Sequence, residues 1–574
     1  MSFKKIKIGN LSIGDAMRRN LAYVDKTRFI DLLENECDTD APVFLRPRRF
    51  GKTFFTYMLY NYYDKSLAGK FEQNFKGTWI YEHKTAMASS YCCLRFDFSS
   101  VSSDPCEVKQ STTEELINGM RDFTDRYPEL GLPYEQIEQA ACTSPASLLK
   151  TFMGRFKTNA KKGERIFVII DEYDHFANDL LSSDKDAFRE ITSTACGHVG
   201  IIKQLYITFK QFYGNGDTAP IERFFITGVS AVSLDSLVSG FNIATNISAE
   251  PEFAAMAGFT HGELSKLIDE TVDFKAMPHV SKDALMSTME KYYDGYSFSG
   301  GKRVFNPNMC LAFISGVVKS RSIPDSMPGK AGDDAGRLDG LLKLAEEKAR
   351  DAICDKIFRR DSIDAGEPGE MNLNRSGSLN FDQAVWMLYY LGYLTRGEDP
   401  GATTYRCPNE KAYQAFADYL AVKAGFSTAP AEDLYAILKK GDAKGLAMVA
   451  ENCMSELPDT AFSGFNERSV QLCFHYILRW RAGKSAESCP EADTGDHGRA
   501  DLYVRNHAGG PDLLLEFKYI SKSKADDAKV AKALAEARSK LERYKSAPSF
   551  RDNRSLRAYA MVFVGPKAMR IEEA

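Results

Sequence analysis

Arg46-Pro47-Arg48-Arg49-Phe50-Gly51-Lys52-Thr53 follows the apolar run Val43-Phe44-Leu45 and opens an aromatic-rich stretch of helical character. A glycine-containing turn between a strand and a helix gathers backbone N–H groups at the positive end of the helix dipole, which is what a phosphate needs. Within it, Lys52 is placed to reach the β- and γ-phosphates of a nucleotide and Thr53 to hold Mg²⁺ through its hydroxyl. Arg49, Phe50 and Gly51 complete the candidate cradle. The full pattern G-x-x-x-x-G-K-[ST] asks for glycine at position 46, where this chain carries arginine. Glycine is common in all proteins, so a lone G-K-T also arises by chance. The loop needs a partner elsewhere in the chain.

That partner is Ile166-Phe167-Val168-Ile169-Ile170, a continuous apolar run leading into Asp171-Glu172-Tyr173-Asp174. A parallel strand buried on both faces has this composition. Asp171 stands where a magnesium-bound phosphate needs an acid, and Glu172 where a water is polarised for attack on the γ-phosphate. The plain alternative is a buried strand ending in a polar turn. Thr227, after Phe224-Phe225-Ile226, is either the polar strand-end residue that senses the γ-phosphate or a simple turn residue.

At 574 residues the chain exceeds what one hydrophobic core supports. Its 44% apolar and 26% charged content is that of an ordinary globular protein. No uninterrupted apolar run of about 18 residues occurs, and the basic start has no apolar segment behind it, so neither a membrane span nor a secretory signal is expected. Twelve cysteines are scattered without a CxxC pair. A reducing, cytoplasmic setting is the expectation, not a zinc or disulfide framework.

The first 250 or so residues alternate strand-like runs (Val43–Leu45, Cys92–Phe98, Ile166–Ile170, Phe224–Thr227) with helical stretches such as Leu148–Ala160, the pattern of a layered α/β domain. The expected division is 1–250 for this domain, 251–375 for a helical region with loops, 376–412 for a winged-helix-like element, 413–460 for a helical connector and 461–574 for a last α/β domain. The third segment rests on Phe381–Tyr390, a helix, followed by strands near Thr395 and Thr404–Cys407. Such modules bind proteins as often as DNA, so a protein partner there is one expectation.

The last segment carries a second cluster. Gly498-Arg499-Ala500-Asp501 starts a strand to Arg505, Asn506–Pro511 turns, and Asp512–Lys518 returns through Leu513-Leu514-Leu515-Glu516-Phe517-Lys518. Residues two apart in a strand share a face, so Glu516 and Lys518 project together. Pairing about a centre near 509 sets Asp501 opposite Phe517, between them. Cutting a phosphodiester calls for a divalent cation held by carboxylates, with a basic group to position water or offset charge. Asp501 and Glu516 are the candidate ligands, Mg²⁺ or Mn²⁺ the candidate ion, and Lys518 the basic group. Glu467, at the start of an upstream helix, is a candidate third carboxylate or an orderer of metal-bound water. An exposed hairpin with alternating charges explains the spacing equally well, but Leu513-Leu514-Leu515 marks a central strand, whose terminal charges need a reason. Net charge is −4, yet residues 521–570 hold 13 Lys/Arg against 5 Asp/Glu, a local excess of eight that suits a phosphate backbone.

Taken together, Tyr23-Val24-Asp25-Lys26-Thr27, Arg46–Thr53, Asp171–Asp174, Ile226-Thr227-Gly228-Val229-Ser230, Tyr293-Asp294-Gly295-Tyr296, Phe305-Asn306-Pro307, Tyr389–Thr395 and Pro408-Asn409-Glu410 resemble the AAA-ATPase-like family. Its members often carry a C-terminal nuclease domain of the PD-(D/E)XK type. The resemblance covers nearly the whole chain, and the family shares the R-P-R-R-F-G-K-[ST] loop, so Arg46 departs from the generic pattern only. It implies a P-loop ATPase domain, ATP and Mg²⁺ as cofactors, and a PD-(D/E)XK nuclease acting on nucleic acid, DNA in the first instance. The alternative is a nucleotide switch with a vestigial, non-cleaving nuclease domain. One departure stands out: relatives place a glutamine in the helix after the hairpin, where this chain has Lys540.

Overall fold

The strand Ile166–Asp171 is buried at all its positions, because neighbouring strands flank it and helices cover both its faces. The structure, a computed structural model, describes residues 3–7, 13–132, 144–177, 180, 185–192, 194–195, 198–214, 219–231, 241–299, 301–324, 338–368, 378–397, 403–423, 434–455, 465–482, 485–551 and 553–574. It divides into two compact units. The first comprises 1–329, 340–350 and 362–412, and the second 330–339, 351–361 and 413–574.

In the first unit, β1 (Pro42–Leu45), β2 (Cys92–Asp97), β3 (Ile166–Asp171), β4 (Ile221–Gly228) and β5 (Thr245–Asn246) form one sheet in the order β2-β3-β4-β1-β5. Every pairing in it is parallel. The order matters, because β4 lies between the strand that feeds the Arg46–Thr53 loop and the strand that ends in Asp171. Register pairs Leu45 with Gly228, Ile170 with Ile226, and Asp97 with Asp171. Thr227, Asp171 and the loop therefore reach the same edge, the carboxyl ends of parallel strands, where open α/β sheets bind ligands. Helix α1 (Lys52–Tyr63) follows the loop at once.

The short motifs further along gather beside that loop. Gly295 has φ +87° and a Cβ there would lie 2.0 Å from the Pro408 carbonyl oxygen, so only glycine fits. Asn409 Nδ2 donates to the Asp294 carbonyl at 2.8 Å. Phe50 meets the rings of Tyr296 and Phe298 edge-on at 5.0 and 5.6 Å. Helix α2 (Phe381–Tyr390) begins at a reciprocal Asn380/Gln383 capping box. After it, Thr395–Arg396 and Thr404–Arg406 pair antiparallel, and Ile363–Asp364 adds a third strand. The tip of that hairpin, 398–402, lies outside the described residues.

The second unit holds β6 (Ala486–Asp493), β7 (Arg499–Asn506), β8 (Leu513–Ile520), β9 (Arg557–Val564) and β10 (Lys567–Glu573), paired in chain order. Only β8 and β9 run parallel, joined by a crossover through helix α4 (Asp527–Lys545). Leu502, Leu513, Leu515, Phe517 and Met561 pack toward helix α3 (Glu467–Tyr476), while Leu514, Ala558, Ala560 and Val562 pack toward Leu534, Ala537, Leu541 and Tyr544 of α4. Strand β6 was not expected. It is polar and contains Pro490, a composition tolerated only at a sheet edge, which is where it lies.

Candidate functional site

At the first unit's strand edge, the backbone turns through positive φ at Arg49 (72°) and Gly51 (96°), but not at Arg46. Position 46 therefore does not require glycine, and arginine serves another purpose. Its side chain is buried, with the guanidinium between the rings of Phe44 and Phe298 at 4.3 and 4.2 Å. It donates to the carbonyls of Leu45 and Ser248, both at 2.8 Å, tying the loop to the 245–254 segment. Burial lowers its pKa to about 10, so it stays a cation at neutral pH. Arg48 meets His175 Nδ1 at 3.1 Å. The arginines flanking the loop thus differ in role: Arg46 braces, while Arg49 lines the cavity below.

Lys52 folds back over the loop, donating to the Arg46 carbonyl at 2.9 Å and the Pro47 carbonyl at 3.3 Å, and lies 3.3 Å from Glu172 Oε1. Glu172 sits at φ +52°, a left-handed conformation that is strained for a non-glycine residue and that turns its carboxylate toward the loop. Its Oε2 is buried with no hydrogen-bond partner among the described residues. Beside it, Asp171 accepts from Thr227 Oγ1 at 2.5 Å and from Thr56 Oγ1 at 3.4 Å. Burial raises the Asp171 carboxyl above its usual range, against the Thr227 hydrogen bond. Thr53 lines the cavity, and Thr56, one turn on, is the hydroxyl that reaches Asp171. The sequence reading missed both Thr56 and Arg95, whose Nη2 is 3.5 Å from Asp171 Oδ2. Helical spacing from Thr53 and the β2–β3 register were the signals for them.

A cavity of about 280 Å³ opens at this loop. Its lining includes the polar Arg49, Lys52, Thr53 and Glu172 together with Tyr23, Val24, Met256, Phe259 and Leu311. The Tyr23–Thr27 motif thus supplies cavity wall through Tyr23, Val24 and Lys26. Lys26 is held there by Glu263 (2.7 and 2.8 Å) and the Ala255 carbonyl (2.8 Å).

In the second unit the pairs are Leu502↔Leu515, Tyr503↔Leu514 and Val504↔Leu513. That register is one residue from the expected one. Directly paired residues share a face, so it aligns Asp501 with Glu516, whereas pairing with Phe517 would have turned Asp501 to the other side. The ladder bond beyond Leu502 is replaced by the Asp501 carboxylate, whose Oδ2 accepts the Phe517 N–H at 2.7 Å. Glu516 is fully buried, with Lys540 Nζ at 2.5 Å from Oε1 and Oε2 without a partner among the described residues. Burial and then the charge of Glu516 push the Asp501 carboxyl well above its ordinary range. Burial also raises Glu516, with Lys540 opposing.

Lys518 Nζ is 3.9 Å from Glu516 Oε1 and donates to Glu467 Oε2 at 3.0 Å. Glu467, expected as a third carboxylate or an orderer of metal-bound water, therefore lies against Lys518. Among the described residues no three His, Cys, Asp or Glu groups converge as metal ligands. Two residues went unread. Gln471, one turn after Glu467, donates to the Asp501 carbonyl (2.5 Å) and to Glu491 Oε1 (3.1 Å). Glu491 sits on the unexpected strand β6 at φ +49°. His475 is buried, with its Nδ1 2.8 Å from Ser488 Oγ.

The donor set suits a hard cation. Two paired carboxylates, Asp501 half-buried and Glu516 buried with one unpartnered oxygen among the described residues, offer the oxygen ligands that Mg²⁺ takes while keeping most of its water.

Residues 7–238 match a family described as a predicted AAA-ATPase, and residues 484–573 match the PD-(D/E)XK nuclease superfamily. The chain thus carries an AAA-ATPase-like domain followed by a PD-(D/E)XK nuclease-superfamily domain. It is also 24% identical over 547 residues to the "Uncharacterized protein in vnfD 5'region" of Azotobacter chroococcum mcd 1, covering 92% of each chain. No helix among the described residues is long and apolar enough to cross a membrane.

Proposed function

We propose that this chain hydrolyses ATP in its first unit and uses the nucleotide cycle to govern a metal-dependent nuclease in its second, with DNA as the first substrate to test. The observation that carries this reading is the pairing of two phosphate-directed clusters on one chain: Lys52 with Asp171, Glu172 and Thr227, and Asp501 with Glu516 and Lys518. In the first, Lys52 exchanges its loop carbonyls for β- and γ-phosphate oxygens, and Gly51 lets the backbone approach them closely. The aromatic and aliphatic lining, with Tyr23, Val24, Met256, Phe259 and Leu311, accepts the base. Asp171, with Thr53, holds the cation, Thr227 fixes the Asp171 carboxylate, and Glu172 orients the attacking water.

In the second, Asp501 and Glu516 hold Mg²⁺ or Mn²⁺, and Lys518 positions the water or offsets charge on the phosphate. When bound, the cation supplies Lewis acidity at the phosphate and a more acidic water. The division at 376–412, with its helix and hairpin, is proposed as a winged-helix-like element available to a protein partner.

One observation favours a second reading. Lys540 occupies Glu516 Oε1, and the Phe517 N–H occupies Asp501 Oδ2. A site satisfied in this way fits a nucleotide-dependent switch whose nuclease fold binds without cutting. The purified protein, incubated with supercoiled DNA, linear DNA or RNA in Mg²⁺ or Mn²⁺ with and without ATP, separates the two. Cleavage abolished by Asp501→Asn supports the nuclease; ATP turnover with no cleavage in any condition supports the switch.

A further inference from the structure

Lys540 is the residue in the second unit that neither the fold nor the proposed chemistry requires. It lies on α4, whose apolar face packs under β8 through Leu534, Ala537 and Leu541. That packing brings Lys540 Nζ to 2.5 Å from Glu516 Oε1. The two lysines near the acids have different attachments. Lys518 is engaged by Glu467 and by the Phe517 carbonyl, at 3.0 and 3.2 Å. Among the described residues, Lys540 makes its ion pair with Glu516 alone. Glu516 itself is completely buried, while its other oxygen, Oε2, lacks a partner among the described residues. Lys540 is thus the nearer of two ammonium groups beside Glu516, with Lys518 Nζ at 3.9 Å. The Lys540 side chain is 36% exposed, so its ammonium can leave for water without unpacking the helix.

We propose that Lys540 is a built-in competitor for the divalent cation: it holds Glu516 when the cation is absent and must swing outward for the cation to bind. This rests on reading Asp501 and Glu516 as the cation-binding pair. Two effects of the ammonium act in the same direction. It occupies lone pairs on a ligand oxygen, and its charge repels an incoming dication at short range in a poorly screened site. Lys540 is thus a positioning residue that sets the metal concentration at which the second unit becomes competent.

The test is a Mn²⁺ titration of the full-length protein without nucleotide, with free Mn²⁺ read by electron paramagnetic resonance. Asp501→Asn gives the background from other sites. Lys540→Gln keeps a polar side chain but removes the charge, and should bind Mn²⁺ roughly tenfold or more tightly than wild type at this site. Lys540→Arg keeps the charge and should stay close to wild type. Equal or weaker binding by Lys540→Gln overturns the proposal. So does equal tightening by Lys540→Arg, which would make the effect steric, or no site-specific binding by either wild type or Lys540→Gln. Tighter Mn²⁺ binding by Lys540→Gln with no cleavage of any nucleic acid keeps this inference and removes the nuclease. Cleavage by the wild type with unchanged affinity in Lys540→Gln does the reverse.

Discussion

Replacing Lys52 tests the first site most directly. Its ammonium is 3% exposed and already holds two loop carbonyls, at 2.9 and 3.3 Å, with Glu172 Oε1 at 3.3 Å. Nucleotide binding is therefore an exchange of partners. The bonds given up already have the ammonium as donor, so like those gained they are each worth roughly 1.5–3 kcal/mol, and the ground-state gain from the exchange is small, about 1 kcal/mol. Lys52→Ala should weaken ATP binding by about tenfold only. The transition state gathers charge on the γ-phosphoryl oxygens, where loss of a fixed donor costs about 10²–10³ in rate. The signature is thus a large fall in kcat with a modest change in affinity, measured by phosphate release and by titration with a fluorescent ATP analogue. Lys52→Met, which keeps the buried volume, guards against a collapsed loop. If either variant hydrolyses ATP within about threefold of wild type while folded, the assignment of Lys52, and with it the phosphate loop, is wrong.

Asp501→Asn should abolish metal-dependent nicking of supercoiled DNA, by about 10² or more, while phosphate release from ATP continues; persistent nicking would place the cleavage elsewhere. His475 gives a pH prediction for the second unit. Burial lowers its pKa from 6.5 to about 3, so it is neutral when folded, and only the unfolded chain takes up its proton between those values. Stability that is present above pH 6.5 should therefore be lost at about 1.4 kcal/mol per pH unit on acidification. Urea unfolding, followed by hydrogen exchange in Leu513–Ile520, should show that slope reduced by one proton in His475→Asn; an unchanged slope refutes it. At Gly228 a Cβ would lie 2.3 Å from the Tyr173 ring and 2.6 Å from Asp174 Oδ1. Gly228→Ala should cost about 1–3 kcal/mol, read as a lower urea midpoint of the first unit, and an unshifted midpoint would mean the loop yields easily.

The two chemical clusters were legible along the chain because their signals are local. An apolar strand running into Asp171-Glu172, a G-K-T after another strand, and the Leu513–Lys518 run each state their role within a few residues. Helix Phe381–Tyr390 and the parallel core likewise follow from patterning. What remained hidden depends on contacts between segments far apart in sequence. Arg46 looked like a lost glycine, and only the rings of Phe44 and Phe298 show that it braces the loop. That Tyr23 shares a cavity with Met256, Phe259 and Leu311 is likewise set by contacts between remote segments. The one-residue error in the β7–β8 register has the same origin. Turn length alone does not set it, because the Asp501 carboxylate takes the place of a ladder bond. Residue order thus marked the candidate side chains; tertiary packing decided which face they share and which lysine reaches Glu516, since charge pairing in a buried site depends on angstroms that no linear spacing encodes.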